Sequence, residues 1–181
     1  MKKLVYVLCL MLGISACQSK SAEMKVKKYY DLKGLVERQI ESLKSEKPKV
    51  QKDILVNEVS ENQTVDSLDW TKELEFFIQA DLNKPAFVSS YRVDSSSMGV
   101  KYFLKETENL PVKFLEINRL GEDGIEIKAL VANNNYLYDT ERNLKLALKQ
   151  GQLIDYQIDG FQKVVFGKKK NFKVNGKVLR W

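Results

Sequence analysis

The sequence predicts an α+β domain in which two N-terminal helices pack on an antiparallel sheet. Two observations lead to this fold class. Before Pro85, apolar residues recur at helical spacing in two segments, whereas after Pro85 apolar and polar residues alternate along short segments separated by turn residues. Helices followed by a run of strands are typical of an α+β fold, so we expect both helices on one face of the sheet.

The first helix is predicted over residues 30–45 and the second over residues 68–82. Asp31 is a candidate N-cap of the first helix, and Pro48 ends its pattern. The first stripe could also lie on a membrane surface, but packing on the domain's own sheet is favoured because acidic residues share its polar side. The apolar stripes of the two helices comprise Leu32, Leu35, Val36, Ile40 and Leu43, and then Trp70, Leu74, Phe77 and Ile78.

Strands are predicted at residues 52–60 and then throughout the chain after Pro85. The later segments are 87–93, 100–105, 112–120, 125–132, 136–140, 144–149 and 153–158, with a last connection at 167–171. They form a meander of about seven strands, long enough to twist and curl into a half-barrel around the helices. The dipeptides Asp159–Gly160 and Asn175–Gly176 are predicted to mark bulges or strand ends.

The N-terminus has the composition of an export signal. Lys2 and Lys3 precede an apolar core at residues 4–14, which is shorter than the roughly 20 residues needed to span a bilayer. The small residues Ser15 and Ala16 then come directly before Cys17. This order resembles the type II signal peptide of bacterial lipoproteins, with Leu12-Gly13-Ile14-Ser15-Ala16-Cys17 as the lipobox. An ordinary secretory signal cleaved nearby and an uncleaved anchor are the weaker alternatives.

The resemblance implies three segments and an address. Residues 1–16 would be the signal peptide, 17–27 the lipidated cysteine and its tether, and 28–181 a single globular domain. Cys17 Sγ would take a diacylglyceryl group and its amine a further chain such as palmitate, which together give stable membrane attachment. Gln18 stands where inner-membrane lipoproteins commonly have Asp, so we expect the outer membrane of a Gram-negative cell, with the domain in the periplasm or on the cell surface.

Composition excludes several chemistries. The chain has 181 residues, no histidine and two cysteines, of which Cys9 would be removed with the signal and Cys17 acylated. Disulfides, thiol nucleophiles, histidine bases and Cys/His zinc sites are therefore not expected, and we predict neither metal nor cofactor. The net charge of +6 falls to +4 without Lys2 and Lys3. Acidic residues are interspersed along the whole chain, which argues against the concentrated basic surface that nucleic acid binding requires.

Candidate catalytic motifs are weak. The pairs Glu106/Glu108 and Glu122/Asp123 fall in hydrophilic, turn-like segments, whereas a glycosidase acid needs apolar burial. Nucleophile elbows, Walker loops and dinucleotide fingerprints are absent from the sequence. We therefore predict a protein that is not an enzyme and has no catalytic residue.

The strands also carry many aromatic residues, which are expected to fill the core between sheet and helices or, where the helices leave space, to line an apolar pocket. The sequence as a whole supports two main expectations of function. The first expectation is a lipid-anchored envelope protein whose domain is a binding, accessory or structural module, its partners being the membrane and an envelope protein. The alternative is a carrier or sensor of an apolar ligand such as an acyl chain, bound in a curved-sheet pocket; a carboxylate hydrolase comes third. The aromatic residues are Phe87, Tyr91, Tyr102, Phe103, Phe114, Tyr136, Tyr138, Tyr156, Phe161, Phe166 and Phe172.

Overall fold

A computed structural model describes residues 27–180 of the chain. The predicted lipidation site Cys17 and the predicted signal peptide lie outside the described residues. Within them, strands make up 53% of the chain, so the fold is mostly β with few helices. No helix in this part of the chain has the length and apolar character required to cross a bilayer.

Three short helical segments and nine strands follow one another in the described chain. The helices are α1 (Leu32–Glu46), α2 (Trp70–Glu73) and α3 (Glu75–Gln79), and a 3₁₀ turn spans Pro85–Phe87. The strands are β1 (Lys49–Val56), β2 (Val59–Val65), β3 (Tyr91–Ser96), β4 (Gly99–Leu104), β5 (Val112–Leu120), β6 (Gly124–Asn134), β7 (Tyr138–Lys149), β8 (Gln152–Val164) and β9 (Lys170–Leu179).

All nine strands belong to one antiparallel sheet with the order β2-β1-β9-β8-β7-β6-β5-β4-β3. Strands β3 to β9 are a meander in chain order, and the β1–β2 hairpin adds to its far side through β9. The sheet is open, with β2 and β3 as its edges. The prediction of seven strands is therefore wrong by two.

The core lies between the helices and one face of the sheet. Because side chains alternate along a strand, each strand contributes every second residue to this face. Val50 and Val178 stand opposite each other on β1 and β9, and Tyr156, Leu146 and Ile127 lie side by side on β8, β7 and β6. The largest fully buried side chains include Tyr156, Phe77, Leu32, Leu43, Leu74, Leu82, Leu115, Ile127, Leu146 and Leu153.

Helix α1 agrees closely with the helix predicted for residues 30–45. Asp31 is the N-cap, and its Oδ1 accepts a hydrogen bond from Gly34 N at 2.9 Å. Lys47 ends the helix in the left-handed conformation, and its N–H bonds to Leu43 O. All five residues of the predicted apolar stripe are buried.

The prediction of a second continuous helix over residues 68–82 is wrong. The segment forms two short helices that meet at Leu74, whose φ of −101° and ψ of 10° depart from helical values. Trp70, Leu74 and Phe77 nevertheless all lie in the core, where each is at most 3% exposed. The predicted apolar face is therefore kept, although the helix itself is interrupted at Leu74.

Three strand predictions also change. Residues 52–60 contain the β1–β2 turn at Asn57, whose φ of 53° reverses the chain. Residues 136–140 and 144–149 are parts of one long strand, β7. Residues 87–93 begin as a 3₁₀ turn, because Pro85 favours the first position of a helical turn, and become strand only at Tyr91.

Both Asx-Gly dipeptides lie inside strands, so the prediction that they mark bulges or strand ends is wrong. Gly160 pairs with Arg142, and Gly176 pairs with Tyr156. A Cβ on Gly160 would overlap the backbone of the neighbouring strand, and one on Gly176 would overlap the ring of Tyr156. Close approach, rather than a turn, explains the glycines at these two positions.

Candidate ligand-binding cleft

A buried polar cluster joins helix α2 to the sheet. Tyr156 Oη donates a hydrogen bond of 2.5 Å to Glu73 Oε1, and Lys52 Nζ lies 2.7 Å from the same oxygen. Burial, together with the Glu73 carboxylate, raises the pKa of Tyr156. The three side chains satisfy one another, so we assign this cluster to the fold rather than to ligand binding.

A cleft of about 250 Å³ lies between α3, the loop that follows it and the helix-facing side of β6 and β7. Its position is set by register: Val131 pairs with Arg142, and Asn133 pairs with Thr140, so the inward side chains of both strands converge there. Apolar and polar side chains line it together, namely Phe76, Gln79, Lys84, Pro111, Val131, Asn133, Arg142 and Leu144.

Arg142 is the distinctive group in this cleft. Its Nε is buried without a hydrogen-bond partner, and no carboxylate among residues 27–180 forms an ion pair with it. Its guanidinium carbon lies 4.6 Å from the centroid of the Phe76 ring, a cation–π contact, and Nε is the one nitrogen of this side chain that is buried without a hydrogen bond. Burial lowers the pKa of Arg142. A half-buried guanidinium without an acidic partner is suited to receive an anion.

Two further groups support this interpretation. Thr140, which faces the same way as Arg142 on β7, is 4% exposed, and its Oγ1 has no hydrogen-bond partner. Lys84 Nζ donates to Gln79 O at 2.7 Å, and burial lowers the pKa of the Lys84 ammonium, although Asp81 partly offsets this. Two cations beside apolar walls fit a small organic anion with an apolar portion.

The face of the sheet opposite the helices, which we call the open face, is also polar, and several of its charged side chains form ion pairs. Glu126 accepts from Lys128 at 2.6 Å and from Lys145 at 2.8 Å, and Glu116 lies 2.7 Å from Lys101. These hydrogen bonds lower the pKa of both carboxyl groups. The open face thus carries crossed ion pairs at Glu126 and Glu116, and its one buried polar atom without a partner among residues 27–180 is the amide oxygen of Asn175.

The structure places the predicted acidic pairs where the sequence indicated. Glu106, Glu108, Glu122 and Asp123 are exposed in the turns before and after β5, so none has the apolar surroundings that a catalytic acid needs. Among residues 27–180 there is no group of acidic, cysteine or histidine side chains that could hold a metal ion.

The eleven aromatic residues separate into groups. Phe87, Tyr91, Tyr102 and Tyr156 are in the core, where Tyr29 makes edge contacts with Tyr91 and Tyr102 at centroid distances of 5.7 and 5.4 Å. These four rings are part of the hydrophobic core. Of the others, Phe172 packs against the edge of the core. Three lie on the open face, namely Phe103, Phe114 and Phe161. The remaining three lie at or beside hairpin turns, namely Tyr136, Tyr138 and Phe166.

Sequence reasoning missed Arg142 and Phe76, although one signal was available. Leu144, Leu146 and Leu148 alternate inward along β7, and Arg142 is the next residue in that alternation. A cation at a core-facing position requires either an acidic partner or a ligand.

No protein-family model matches the chain, and neither a curated protein nor a solved structure is significantly similar to it.

Proposed function

We propose that this chain is a lipid-anchored protein of the outer membrane whose domain acts by binding. Acylated Cys17 is its anchor, and the cleft at Arg142 receives a small organic anion with an apolar portion. The observation that supports ligand binding is the half-buried Arg142 guanidinium, which has no acidic partner in residues 27–180. A half-buried charge without an acidic partner loses part of its hydration energy, and a bound anion would offset this loss.

The size of the cleft limits the ligand. Its volume of about 250 Å³ is below the 300–1,000 Å³ typical of drug-sized sites. Phe76, Val131 and Leu144 supply apolar contact beside the cation. A short-chain carboxylate satisfies both requirements, since its head can form two hydrogen bonds with a guanidinium and its chain can lie against the apolar wall.

Binding of octanoate to the domain tests this proposal. We expect octanoate to raise the melting temperature, octanol to do so far less, and Arg142→Gln to abolish the effect of octanoate. Arg92→Gln is the matched control, because Arg92 also lies over an aromatic ring, Phe103 at 5.5 Å, but on the open face. Equal binding by the Arg142→Gln variant would refute the role of the cleft.

The anchor has its own test. A Cys17→Ser variant should leave the membrane fraction and stop incorporating labelled fatty acid, because it lacks the thiol that is acylated. The matched control is Cys9→Ser, which removes the other thiol of the chain and should leave lipidation intact. If the Cys17→Ser protein stays in the membrane fraction and remains labelled, the proposed anchor is wrong.

A carrier of a long acyl chain and a carboxylate hydrolase are less well supported. Phe87, Tyr91, Tyr102 and Tyr156 are buried in the core rather than lining a cavity wall, and the acidic pairs are exposed. Binding of a small ligand is therefore the function that we retain.

A further inference from the structure

Two hairpin turns meet at one end of the sheet and form what we call the aromatic–lysine tip, residues 135–138 and 163–170. Tyr138 pairs with Val164, and Val165 N donates a hydrogen bond of 3.0 Å to Leu137 O, which joins the two turns. Asn135 Oδ1 accepts from the N–H groups of Leu137 and Tyr138 at 2.9 and 3.0 Å. The tip is therefore a hydrogen-bonded unit with a defined shape.

Apolar side chains project from this tip into solvent. Phe166 is fully exposed, Tyr136 is 84% exposed, and Leu137 and Val165 are at least half exposed. Single exposed apolar residues are ordinary, but four on two joined turns form a cluster that is typical of an interaction site.

Lysines surround the apolar group. The segment from Phe161 to Lys173, with both ends included, has five lysines and no acidic residue. Lys169 Nζ lies 3.7 Å from the centroid of the Phe161 ring, which holds one of these cations beside the apolar cluster. In the pairing of β7 with β8, Asp139 stands opposite Lys163 and Glu141 stands opposite Phe161, so two carboxylates flank the tip. Residues 135–138 and 163–170 themselves contain four lysines and no acidic residue, so the tip has a net positive charge.

The location of the tip relates it to the start of the described chain. The β6–β7, β8–β9 and β1–β2 turns and the beginning of β3 all lie at the same end of the strands. Val88, just before β3, lines a cleft together with Lys27 and Lys28, so the described chain starts close to this end. Lys27 is ten positions after Cys17, a distance of at most about 36 Å when the chain is extended. A bilayer that holds the acyl chains of Cys17 is therefore within reach.

We infer that the aromatic–lysine tip binds the surface of an anionic phospholipid bilayer, with Phe166 and Tyr136 at the level of the headgroups. Aromatic side chains favour this interface, and lysines are attracted to anionic lipids. A protein partner would need about 800 Å² of matching surface, whereas the exposed apolar side chains of the tip lie on only two joined turns. The proposed anchor serves here only to bring a membrane close.

Sedimentation with vesicles tests this inference. The unlipidated chain from Gln18 to Trp181 is suitable, because it includes every residue of the core described for residues 27–180, from Tyr29 to Val178. We expect it to sediment with vesicles of equal parts phosphatidylglycerol and phosphatidylcholine, far less with phosphatidylcholine alone, and less at high salt. Because this chain lacks Cys17, an absence of vesicle binding would not count against the proposed lipid anchor. Likewise, the result of the Cys17→Ser test would not count against membrane binding by the aromatic–lysine tip.

Two sets of tip variants identify the contacts. The double variant Tyr136→Ser, Phe166→Ser should weaken binding about tenfold, because two interfacial rings are removed. Changing Lys168, Lys169 and Lys170 to Gln should weaken it by about tenfold or more, since each lysine near the surface contributes.

The controls are taken from the opposite end of the sheet. Met98 and Leu120 are exposed there by 66% and 51%, and their replacement by Ser should leave binding unchanged. Changing Lys47, Lys149 and Lys177 to Gln removes the same charge from that end and should have a much smaller effect. Equal losses in control and tip variants, or no binding to the anionic vesicles, would overturn the inference. So would concentration-dependent self-association abolished by Phe166→Ser without any vesicle binding, because the tip would then bind a second copy of the chain.

Discussion

Replacing Gly176 by alanine should destabilise the domain, because the ring of Tyr156 occupies the position of the new methyl group. A Cβ at this position would overlap Cζ, Cε1 and Oη of Tyr156. The ring cannot move freely, since it is 1% exposed, lies 6.5 Å from the Trp70 ring and donates to Glu73. The substitution therefore strains the backbone of β9 or breaks the contact between Tyr156 and Glu73.

The expected loss follows from these two alternatives. Overfilling a packed core costs about 1–3 kcal/mol. Losing a hydrogen bond to a charged group costs about 1.5–3 kcal/mol. We therefore expect the free energy of unfolding to fall by about 3 kcal/mol. For a domain of this size each kcal/mol lowers the melting temperature by about 2–4 °C, so the midpoint should fall by about 6–12 °C.

Urea denaturation of four proteins provides the assay: the parent chain, Gly176→Ala, Tyr156→Leu and the double variant. The alanine should cost far less when Tyr156 is already leucine, because the obstructing ring is gone. Lys177→Ala controls for the effect of alanine in β9, since this neighbour is exposed. An unchanged midpoint for Gly176→Ala, or the same cost in both backgrounds, would refute the reasoning.

Two further predictions concern ionised side chains. Glu73→Gln leaves the largely buried Lys52 without a carboxylate and should lower the free energy of unfolding by about 3 kcal/mol in urea denaturation. The control Glu75→Gln, at an exposed position of α3, should change the free energy of unfolding by less than about 0.5 kcal/mol. Equal effects of the two substitutions would contradict the role of the Lys52–Glu73 pair. In the folded state, hydrogen bonds from Lys128 and Lys145 lower the pKa of Glu126 below its ordinary value of 4.5. The contribution of Glu126 to stability is therefore complete above about pH 4.5, and it is lost as the pH falls through the lower pKa of the folded state. Glu126→Gln should therefore be less stable than the parent at pH 7 but not in strong acid; a difference that is independent of pH would show that the ion pairs are not its cause.

Local patterns predicted those elements whose own residues determine them. Helix α1 has a cap, a stripe and a terminating proline within its own sequence, and β5 matches the predicted range 112–120. The break at Leu74 could not be predicted, because the apolar stripe of Trp70, Leu74 and Phe77 is also that of an uninterrupted helix. Strand β2 was missed because its polar residues are exposed on both sides at a sheet edge, where no alternation is required.

The candidate sites depend still more on register. Arg142 reads as an ordinary surface cation until the inward alternation of β7 places it under Phe76. Phe166 and Tyr136 are 30 positions apart in sequence, and only the pairing of Tyr138 with Val164 brings their turns together. Residue types alone therefore indicated a binding protein but not the surfaces that would bind.

The pairing of β1 with β9 sets an order on folding. Every other neighbouring pair in the sheet is a hairpin or a short connection, whereas this one joins residues 49–56 to residues 172–179. Closing so long a loop is entropically costly and slow, so we expect the meander to form first. Val50 is completely buried only in the finished sheet, and Lys52 meets Glu73 and Tyr156 across the same seam. We therefore expect the β1–β2 hairpin to join the sheet only after β9 has formed. In a chain that ends before β9, the hairpin would have no neighbouring strand, and Lys52 would not be held beside Glu73 and Tyr156.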